Sequence, residues 1–337
     1  MTTTMRAIDI KGGTGPATSL FVNNLPKPEP AAGEALVKIE AFGLNRMDLL
    51  QREGMYPVPP QAPSTLGVEF SGIVERLGDG DCLDFKVGDE VFGLAYGGAY
   101  AEYISCSVQT LLHKPAELSW IEAAGIPETW FTAAQAMYLV GQFEPGKSIL
   151  WHAGASAVSI SGIQLSKADN ASNIYVTASS QEKIDFCVNK LGATAGYNYK
   201  TQDWAAELKK ATNGRGVDVI IDFIGASYFQ SNLDAAALDG HIVNLAFLGG
   251  TKLPAGVDIS LFLRKRLRYE GSSLRSRDTS YQKRLRDILL DHMPKFQDGS
   301  FKVYVEKVFP FEKIADAHLL MESNQTKGKI ICTVGEE

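Results

Sequence analysis

The sequence predicts an α/β protein in which a doubly wound parallel sheet is inserted into a mainly antiparallel β domain built from both chain ends. Three observations carry this prediction. From Ser148 to Phe247, short apolar runs alternate with helical patterns, as parallel strands covered on both faces do. Before Gly125 the chain instead shows strand-like segments divided by Gly, Pro and Asp turns, with few helices. After Leu263 the pattern changes again and closes strand–helix–strand, which fits an inserted domain better than two sequential ones. The expected boundaries are 1–124 with 265–337 for the β-rich domain, and 125–264 for the parallel-sheet domain.

Each element follows from its residues. Met5 to Ile10, Glu34 to Phe42, Val68 to Leu77, Asp89 to Phe92 and Ala99 to Ser105 read as strands. Leu44 to Gln51 is a short helix, followed by the loop Gly54 to Pro63 with four prolines. Ser148 to Trp151 is a strand, and Ala/Ser/Ile spacing predicts a helix through about Lys167. Strands at Ile174–Thr177, Ala195–Tyr199, Val217–Ile221 and His241–Phe247 then alternate with helices at Gln181–Leu191, Asp203–Thr212 and Tyr228–Leu238. The chain ends in a basic run (Arg264 to Arg268), an amphipathic helix (Ser280 to Phe296), and a strand, helix and strand at Lys302–Phe309, Glu312–Met321 and Lys329–Val334. No repeat or low-complexity segment is visible.

The segment Ser148 to Ser159, S-I-L-W-H-A-G-A-S-A-V-S, is strand, tight turn and helix start. That arrangement receives a dinucleotide pyrophosphate on backbone N–H groups and a helix N-terminus. Only Gly154 of the usual glycines is present; Ala157 and Ser159 replace the others. The second strand decides the cofactor type. NAD sites place Asp or Glu at its tip, whereas here Ala178-Ser179-Ser180 follows Thr177. Hydroxyls, helix N–H groups and Lys183 one turn on would receive a ribose 2′-phosphate that a carboxylate would repel. The pattern therefore favours NADPH over NADH. A second reading, Ser179 as N-cap with Glu182 closing a capping box, is compatible with the first. The loops Asp222 to Gly225 and Leu245 to Leu248 would edge the cofactor crevice.

Composition excludes several classes. With 337 residues, 45% of them hydrophobic, the chain can bury a large core. A net charge of −6 makes nucleic acid and anionic membrane poor partners. No apolar run approaches the ~18 residues that span a bilayer. Met1 to Gly13 lacks both an apolar signal core and an Arg-rich transit pattern, so a cytoplasmic protein is expected. Cys82, Cys106, Cys187 and Cys332 are scattered, which indicates neither disulfides nor structural zinc.

The chain resembles the zinc-independent quinone oxidoreductases of the medium-chain dehydrogenase/reductase superfamily, closest to the p53-inducible quinone oxidoreductase branch. The likeness rests on A-F-G-L-N-R-M-D-L-L-Q-R-E-G-M-Y-P (Ala41 to Pro57), L-G-V-E-F-S-G (Leu66 to Gly72), I-P-E-T-W-F-T-A (Ile126 to Ala133) and H-A-G-A-S (His152 to Ser156). It extends through A-G-Y-N-Y-K (Ala195 to Lys200), L-R-S-R-D (Leu274 to Asp278) and G-K-I (Gly328 to Ile330). The resemblance implies a Rossmann domain inside a GroES-like β domain, NADPH held in the cleft between them, and a homodimer. It places Arg46 to Leu50 (Asp48 among them), Tyr56, Ser156, Ala157, Val158, Ser179, Lys183, Tyr199 and Asn232 on cofactor-contact positions, with Gly154 in the turn. Leu245, Ala246, Phe247, Leu248, Leu274, Arg275, Ser276 and Asn324 join them. The family turn continues S-G-V-G, so the Cβ of Ala157 is expected to crowd the pyrophosphate, while Ser159 is tolerated if its hydroxyl bonds back to the turn.

Zinc-dependent relatives polarise a carbonyl with a metal, but Asn45 stands here for a cysteine ligand and Val68 for a histidine. No tyrosine has lysine at the fourth position after it, and there is no G-x-S-x-G elbow. No metal is expected. What remains is hydride delivery to an acceptor that needs little electrophilic help, and quinones fit. Asn45 is the candidate donor to the quinone oxygen, and Tyr56 the residue closing over the nicotinamide or orienting a proton-donating water. The bland alternatives are a helix cap for Asn45 and loop packing for Tyr56. His152 reads as a packing residue, Glu69 and Asp48 as internal hydrogen-bond partners, Asp222 as a strand end, and Arg264, Lys265, Arg266 and Arg268 as a solvated face. Two further functions stay open: reduction of an activated alkene such as an enone or enal, and an NADPH-binding sensor or nucleic-acid binder with little turnover.

Overall fold

Alternating burial begins at the first strand, β1 (Thr4–Ile10), which pairs antiparallel with β2 (Leu20–Pro26). The computed structural model describes residues 3–335; Met1 and Thr2, where the leader reading starts, and Glu336 and Glu337 lie outside them. β3 (Glu34–Gly43) leads into helix α1 (Arg46–Arg52), then β4 (Glu69–Leu77), β5 (Glu90–Leu94), β6 (Tyr103–Ser107) and β7 (Leu111–His113). The strand expected from Ala99 starts only at Tyr103. The N–H groups of Ala99 and Tyr100 are taken by the carbonyls of Gly67 and Leu66, so this stretch is tied down as a loop. Two helices follow, α2 (Trp120–Ala124) and α3 (Pro127–Ala134).

The central strands are buried on both faces, as their apolar runs require. β8 (Ser148–Trp151) is followed by α4 (Ala157–Ala168), β9 (Asn173–Ala178) by α5 (Gln181–Asp185) and β10 (Ala195–Asn198) by α6 (Trp204–Ala211). Next come β11 (Val217–Asp222), α7 (Phe229–Ala235), β12 (Ala236–Asn244), α8 (Ser260–Lys265) and β13 (Arg268–Gly271). The expected helix over Tyr228–Leu238 stops at Ala235, and Ala236–Leu238 opens the next strand. That strand ends at Asn244 rather than Phe247, because the N–H groups of Leu245 and Leu248 turn to the carbonyls of Asp222 and Phe223. The chain closes with α9 (Thr279–Gln297), β14 (Val305–Pro310), α10 (Ile314–Glu322) and β15 (Lys329–Thr333).

Strands β10-β9-β8-β11-β12-β13 form one parallel sheet of six. A mixed, mainly antiparallel sheet runs β14-β15-β3-β4-β5-β7, with β6 on β3. Two compact units result. One reaches Phe131 and resumes at Arg275; the other is Thr132–Leu274. The second boundary lies ten residues later than the sequence reading set it, since the strand Arg268–Gly271 adds to the parallel sheet past the basic run. Phe42, Phe70, Tyr100 and Phe311 centre the core of the first unit; Leu150, Leu208, Ile220 and Leu233 centre that of the second.

Helix α4 approaches β8 very closely. A Cβ on Gly162 would lie 2.2 Å from the fully buried ring of Trp151, and the indole N–H bonds to Ser166 Oγ at 3.1 Å. The close approach that the missing third glycine of the turn usually allows is thus provided inside the helix.

Candidate functional site

In the parallel-sheet unit, the turn after β8 is shaped for close backbone approach. A Cβ on Gly154 would meet Val176 Cβ at 2.7 Å, so no side chain fits there. Ser156 caps α4, its side chain accepting from the N–H of Ser159 at 3.3 Å. The buried Ser159 hydroxyl donates back to the carbonyl of His152 at 2.7 Å, the arrangement under which this serine was expected to be tolerated. Ala157 and Val158 are half-exposed on the first turn.

The ends of β9 and β10 lie side by side, with Ala178 opposite Asn198 and the N–H of Tyr199 on the carbonyl of Ala178. Ser179 and Tyr199 are therefore neighbours, and the half-buried Lys183 rises one turn into α5. No carboxylate occupies the tip of β9. The helix cap is Ser180, accepting from the N–H of Lys183 at 3.3 Å, and not Ser179 as read from the capping-box spacing. Ser179 is left at the strand end, half-exposed.

Asn232 is a correction. Its side chain is fully buried, its Oδ1 accepting from His152 Nε2–H at 2.8 Å, so it lies beneath the turn and does not line a surface. His152 is equally buried, accepts at Nδ1 from the Thr177 hydroxyl at 2.8 Å, and packs against Trp204 and Tyr228. Burial holds its pKa below the ordinary imidazole value, which suits packing and not base catalysis. Asp222 builds its loop by accepting from Ile224 N–H at 2.7 Å and Gly225 N–H at 3.1 Å. Beyond β12, Leu245 and Ala246 are half-exposed and Phe247 and Leu248 exposed, while Leu274 is buried. The basic run is locally matched. Arg264 pairs with Asp258, Arg266 with Asp239, and Lys265 satisfies the carbonyls of Leu233, Asp234 and Ala236.

In the β-rich unit, Asn45 is the N-cap of α1, its N–H bonding Asp48 Oδ2 at 2.8 Å. Its amide is engaged on both sides, Nδ2 donating to Glu69 Oε1 at 2.8 Å and Oδ1 accepting from Lys329 Nζ at 3.0 Å. Lys329, buried with Glu69, also donates to that carboxylate and to the carbonyl of Leu44 at 2.8 Å. Glu69 Oε2 accepts the N–H of Glu128 at 2.8 Å. Gly43 makes room, since a Cβ there would lie 2.3 Å from Glu69 Oε1. Sequence reasoning missed Lys329 and Glu128; the only signals were their presence in the G-K-I and I-P-E-T segments.

Asp48 faces inward, fully buried, and so does not offer its carboxylate to a cofactor. Desolvation pushes its pKa up to about 6 against the hydrogen bonds it accepts. One of these, from the Tyr100 hydroxyl at 3.1 Å, continues to His318 Nε2 at 3.2 Å, whose Nδ1 accepts from Arg52 Nη1 at 3.1 Å. Arginine only donates, so the ring carries its proton on Nε2 and the whole chain points toward Asp48. Burial and the Arg52 charge push His318 down to about 3. Nearby, the guanidinium of Arg275 lies 5.4 Å from the ring centre of the half-exposed Tyr56 and donates to Gln51 Oε1 at 2.7 Å. Among the described residues its buried Nη2 finds no hydrogen-bond partner, nor does Asp48 Oδ1. Arg46 donates to the carbonyl of Met321 at 3.2 Å and to Asn324 Oδ1; Leu50 is half-exposed and Ser276 exposed. A pocket of about 940 Å³ elsewhere in this unit, bordered by Tyr96, Tyr103, Cys106 and Gln282, contains none of the expected site residues.

The close backbone approach at Gly154 and the capped start of α4 fit a nicotinamide dinucleotide. The donor set does not fit a metal: among the described residues no group of three or more His, Cys, Asp or Glu is arranged to hold one.

Comparison with known proteins gives the family. Residues 31–116 match the alcohol dehydrogenase GroES-like domain and residues 157–290 the zinc-binding dehydrogenase family. The chain is 27% identical to the synaptic vesicle membrane protein VAT-1 homolog of Danio rerio, over 98% of this chain and 70% of that one. It is 26% identical to the quinone oxidoreductase of Lama guanicoe, over 97% of each. A solved NAD-dependent alcohol dehydrogenase superposes with a TM-score of 0.85 at 30% identity, over 98% of this chain and 100% of that one. The JamJ enoyl reductase in its apo form gives 0.84 at 26% identity, over 99% and 100%. Fold and site together define an oxidoreductase that uses a nicotinamide cofactor. Within that class, the chain belongs to the zinc-independent, quinone oxidoreductase-like family of the medium-chain dehydrogenase/reductase superfamily. No helix among the described residues is long and apolar enough to cross a membrane.

Proposed function

We propose that the protein is an NADPH-dependent quinone reductase that works without a metal. The observation that carries the cofactor choice is the tip of β9, where Ser179, Lys183 and Tyr199 gather with no carboxylate among them. A 2′-phosphate gains charge-assisted contacts there, and NADH gains nothing equivalent. Gly154, Ser156, Ala157 and Val158 would take the pyrophosphate. When bound, the cofactor supplies a hydride. The protein's own part is to orient the acceptor, exclude water and deliver a proton. Asn45 keeps a second amide hydrogen for an acceptor oxygen, with Glu69 and Lys329 fixing the plane of its amide. Tyr56, with Arg275 against its ring, is suited to close over the nicotinamide.

A second reading, reduction of an enone or enal, is supported by the likeness to the JamJ enoyl reductase. Both reactions end on an oxygen anion that Asn45 would meet. The basic run, already matched by acidic side chains, gives little support to nucleic-acid binding. We further propose a homodimer, supported by exposed Leu238, Leu253, Ile259 and Leu263 on the parallel-sheet unit, and a cytoplasmic location, supported by four unpaired thiols. The test is oxidation of NADPH and NADH with a panel of quinones and enones. Rapid quinone turnover with NADPH is expected. Turnover of enones alone selects the second reading, and binding without oxidation of either cofactor refutes both.

A further inference from the structure

Beyond a bridge from Ala7 to Ala101, the β1–β2 hairpin forms no ladder with the mixed sheet among the described residues, and β6 pairs only with β3. Pro26 and Pro28 lack the N–H that would extend a ladder. They lie with β6 around the space that remains, the cavity of about 940 Å³ within the β-rich unit. Pockets of about 300–1,000 Å³ are the size that holds a small molecule. Much of its wall is carbon, from Met5, Leu25, Pro63, Tyr103 and Ile104. Met5 forms a small apolar cluster with Ala7 and Ala101, and Leu25 and Tyr103 pack against it. Three wall hydroxyls spend their hydrogens on the protein itself. Ser105 donates to Glu34 Oε2, Thr110 to the carbonyl of Leu94 and Tyr96 to the carbonyl of Arg277, each at 2.7 Å. Among the described residues the charged groups of the wall are Glu34 and Asp278, and no lysine or arginine joins them. The nearby cations are engaged elsewhere. Arg275 is buried with its Nε on the carbonyl of Tyr96 at 2.6 Å, and Arg277 stacks on Tyr281 at 4.5 Å.

We propose that this cavity is a second binding site, for an uncharged small molecule with an apolar, aromatic body. Its wall contains none of the residues assigned above to cofactor or acceptor, so the site stands whatever the reaction is. An anion entering it would lose its hydration, meet two carboxylates and find no cation. A cation gains little, because both carboxylates are already supplied with donors. Asp278 caps α9, accepting from the Ser280 hydroxyl and the N–H of Tyr281 at 2.8 Å each. Glu34 accepts from Ser105 and from the N–H of Ala31 at 3.0 Å. An uncharged apolar body instead exchanges water for carbon on both surfaces, which is the favourable exchange this wall offers. Tyr103 supplies an aromatic partner. Its ring is held by the ammonium of Lys27, 3.5 Å from the ring centre and itself paired with Glu75.

The experiment irradiates the full chain with benzophenone, an uncharged aromatic ketone that inserts into nearby C–H bonds, and maps the adducts by peptide mass spectrometry. Adducts are expected on the segments that carry Met5, Leu25 or Tyr103 to Ser107. 4-Benzoylbenzoate, the same body with a carboxylate, should label them far less. Two variants, each first shown to be folded by circular dichroism, should lose these adducts. Ala62→Trp fills the cavity from a half-buried loop position, and Leu25→Glu adds a third carboxylate to the wall. Phe21→Glu, at an exposed position of the same strand outside the cavity, should keep them. Adducts confined to other segments, or none at all, overturn the site. So does labelling that persists in either folded cavity variant or disappears in Phe21→Glu. Equal labelling by the two probes overturns the uncharged ligand class.

Discussion

Reversing the charge of Lys183 tests the cofactor site where the proposal is most exposed. Lys183 is half-buried on the first turn of α5, beside Ser179 and Tyr199, and its contact with a 2′-phosphate would be charge-assisted. Such a contact contributes about 1.5–3 kcal/mol. Lys183→Met should therefore weaken NADPH about 10- to 150-fold. Lys183→Glu adds repulsion, about 1 kcal/mol for unit charges about 4 Å apart in a water-like dielectric, which brings the loss to about 10²–10³-fold. NADH lacks the phosphate and should shift only a few-fold. Titrating nicotinamide fluorescence at two ionic strengths measures both, and the NADPH loss should shrink as salt rises. Equal loss for the two cofactors, or a wild type that prefers NADH, would refute the reasoning.

Three further outcomes are expected. Gly162→Ala forces a methyl to 2.2 Å from the buried Trp151 ring, so urea denaturation should show a loss of about 1–3 kcal/mol. Lys329→Met leaves Glu69 buried without its cation and should cost about 3–5 kcal/mol, with Glu69→Gln in the same chain recovering part in a double-mutant cycle. His318 stays neutral in the folded protein to about pH 3, while the unfolded ring takes a proton near 6.5. Unfolding therefore takes up protons in that window, and stability falls as pH drops through it. Asp48, raised to about 6, opposes this between 3.8 and 6 by holding its proton in the folded state. His318→Gln should flatten the net acid slope, and an unchanged slope would count against the assignment.

How far the sequence could be read depended on whether its signal was local. The parallel sheet was legible because strands such as Val217–Asp222 carry a mainly apolar run that is buried on both faces. The strand Leu20–Pro26 was missed, since Asn23, Asn24 and Pro26 break the alternation that its pairing with Thr4–Ile10 imposes. Arg268–Gly271 was hidden by a basic run whose edge position leaves its side chains largely solvated. At the site, Ser159 bonding back to the turn was foreseen from a single hydroxyl's needs. Asn232 was misplaced, because nothing in sequence tells that His152 draws it inward from 80 positions away. Lys329 and Glu128 needed three distant segments brought together before their charges meant anything.

Arg52 begins a chain of hydrogen bonds as a pure donor, and every link beyond it, through His318 and Tyr100, is committed to one direction. Such a ladder conducts nothing. It ties Asp48 on α1 to His318 on α10 through Tyr100, so the carboxylate is held by the fold on that side.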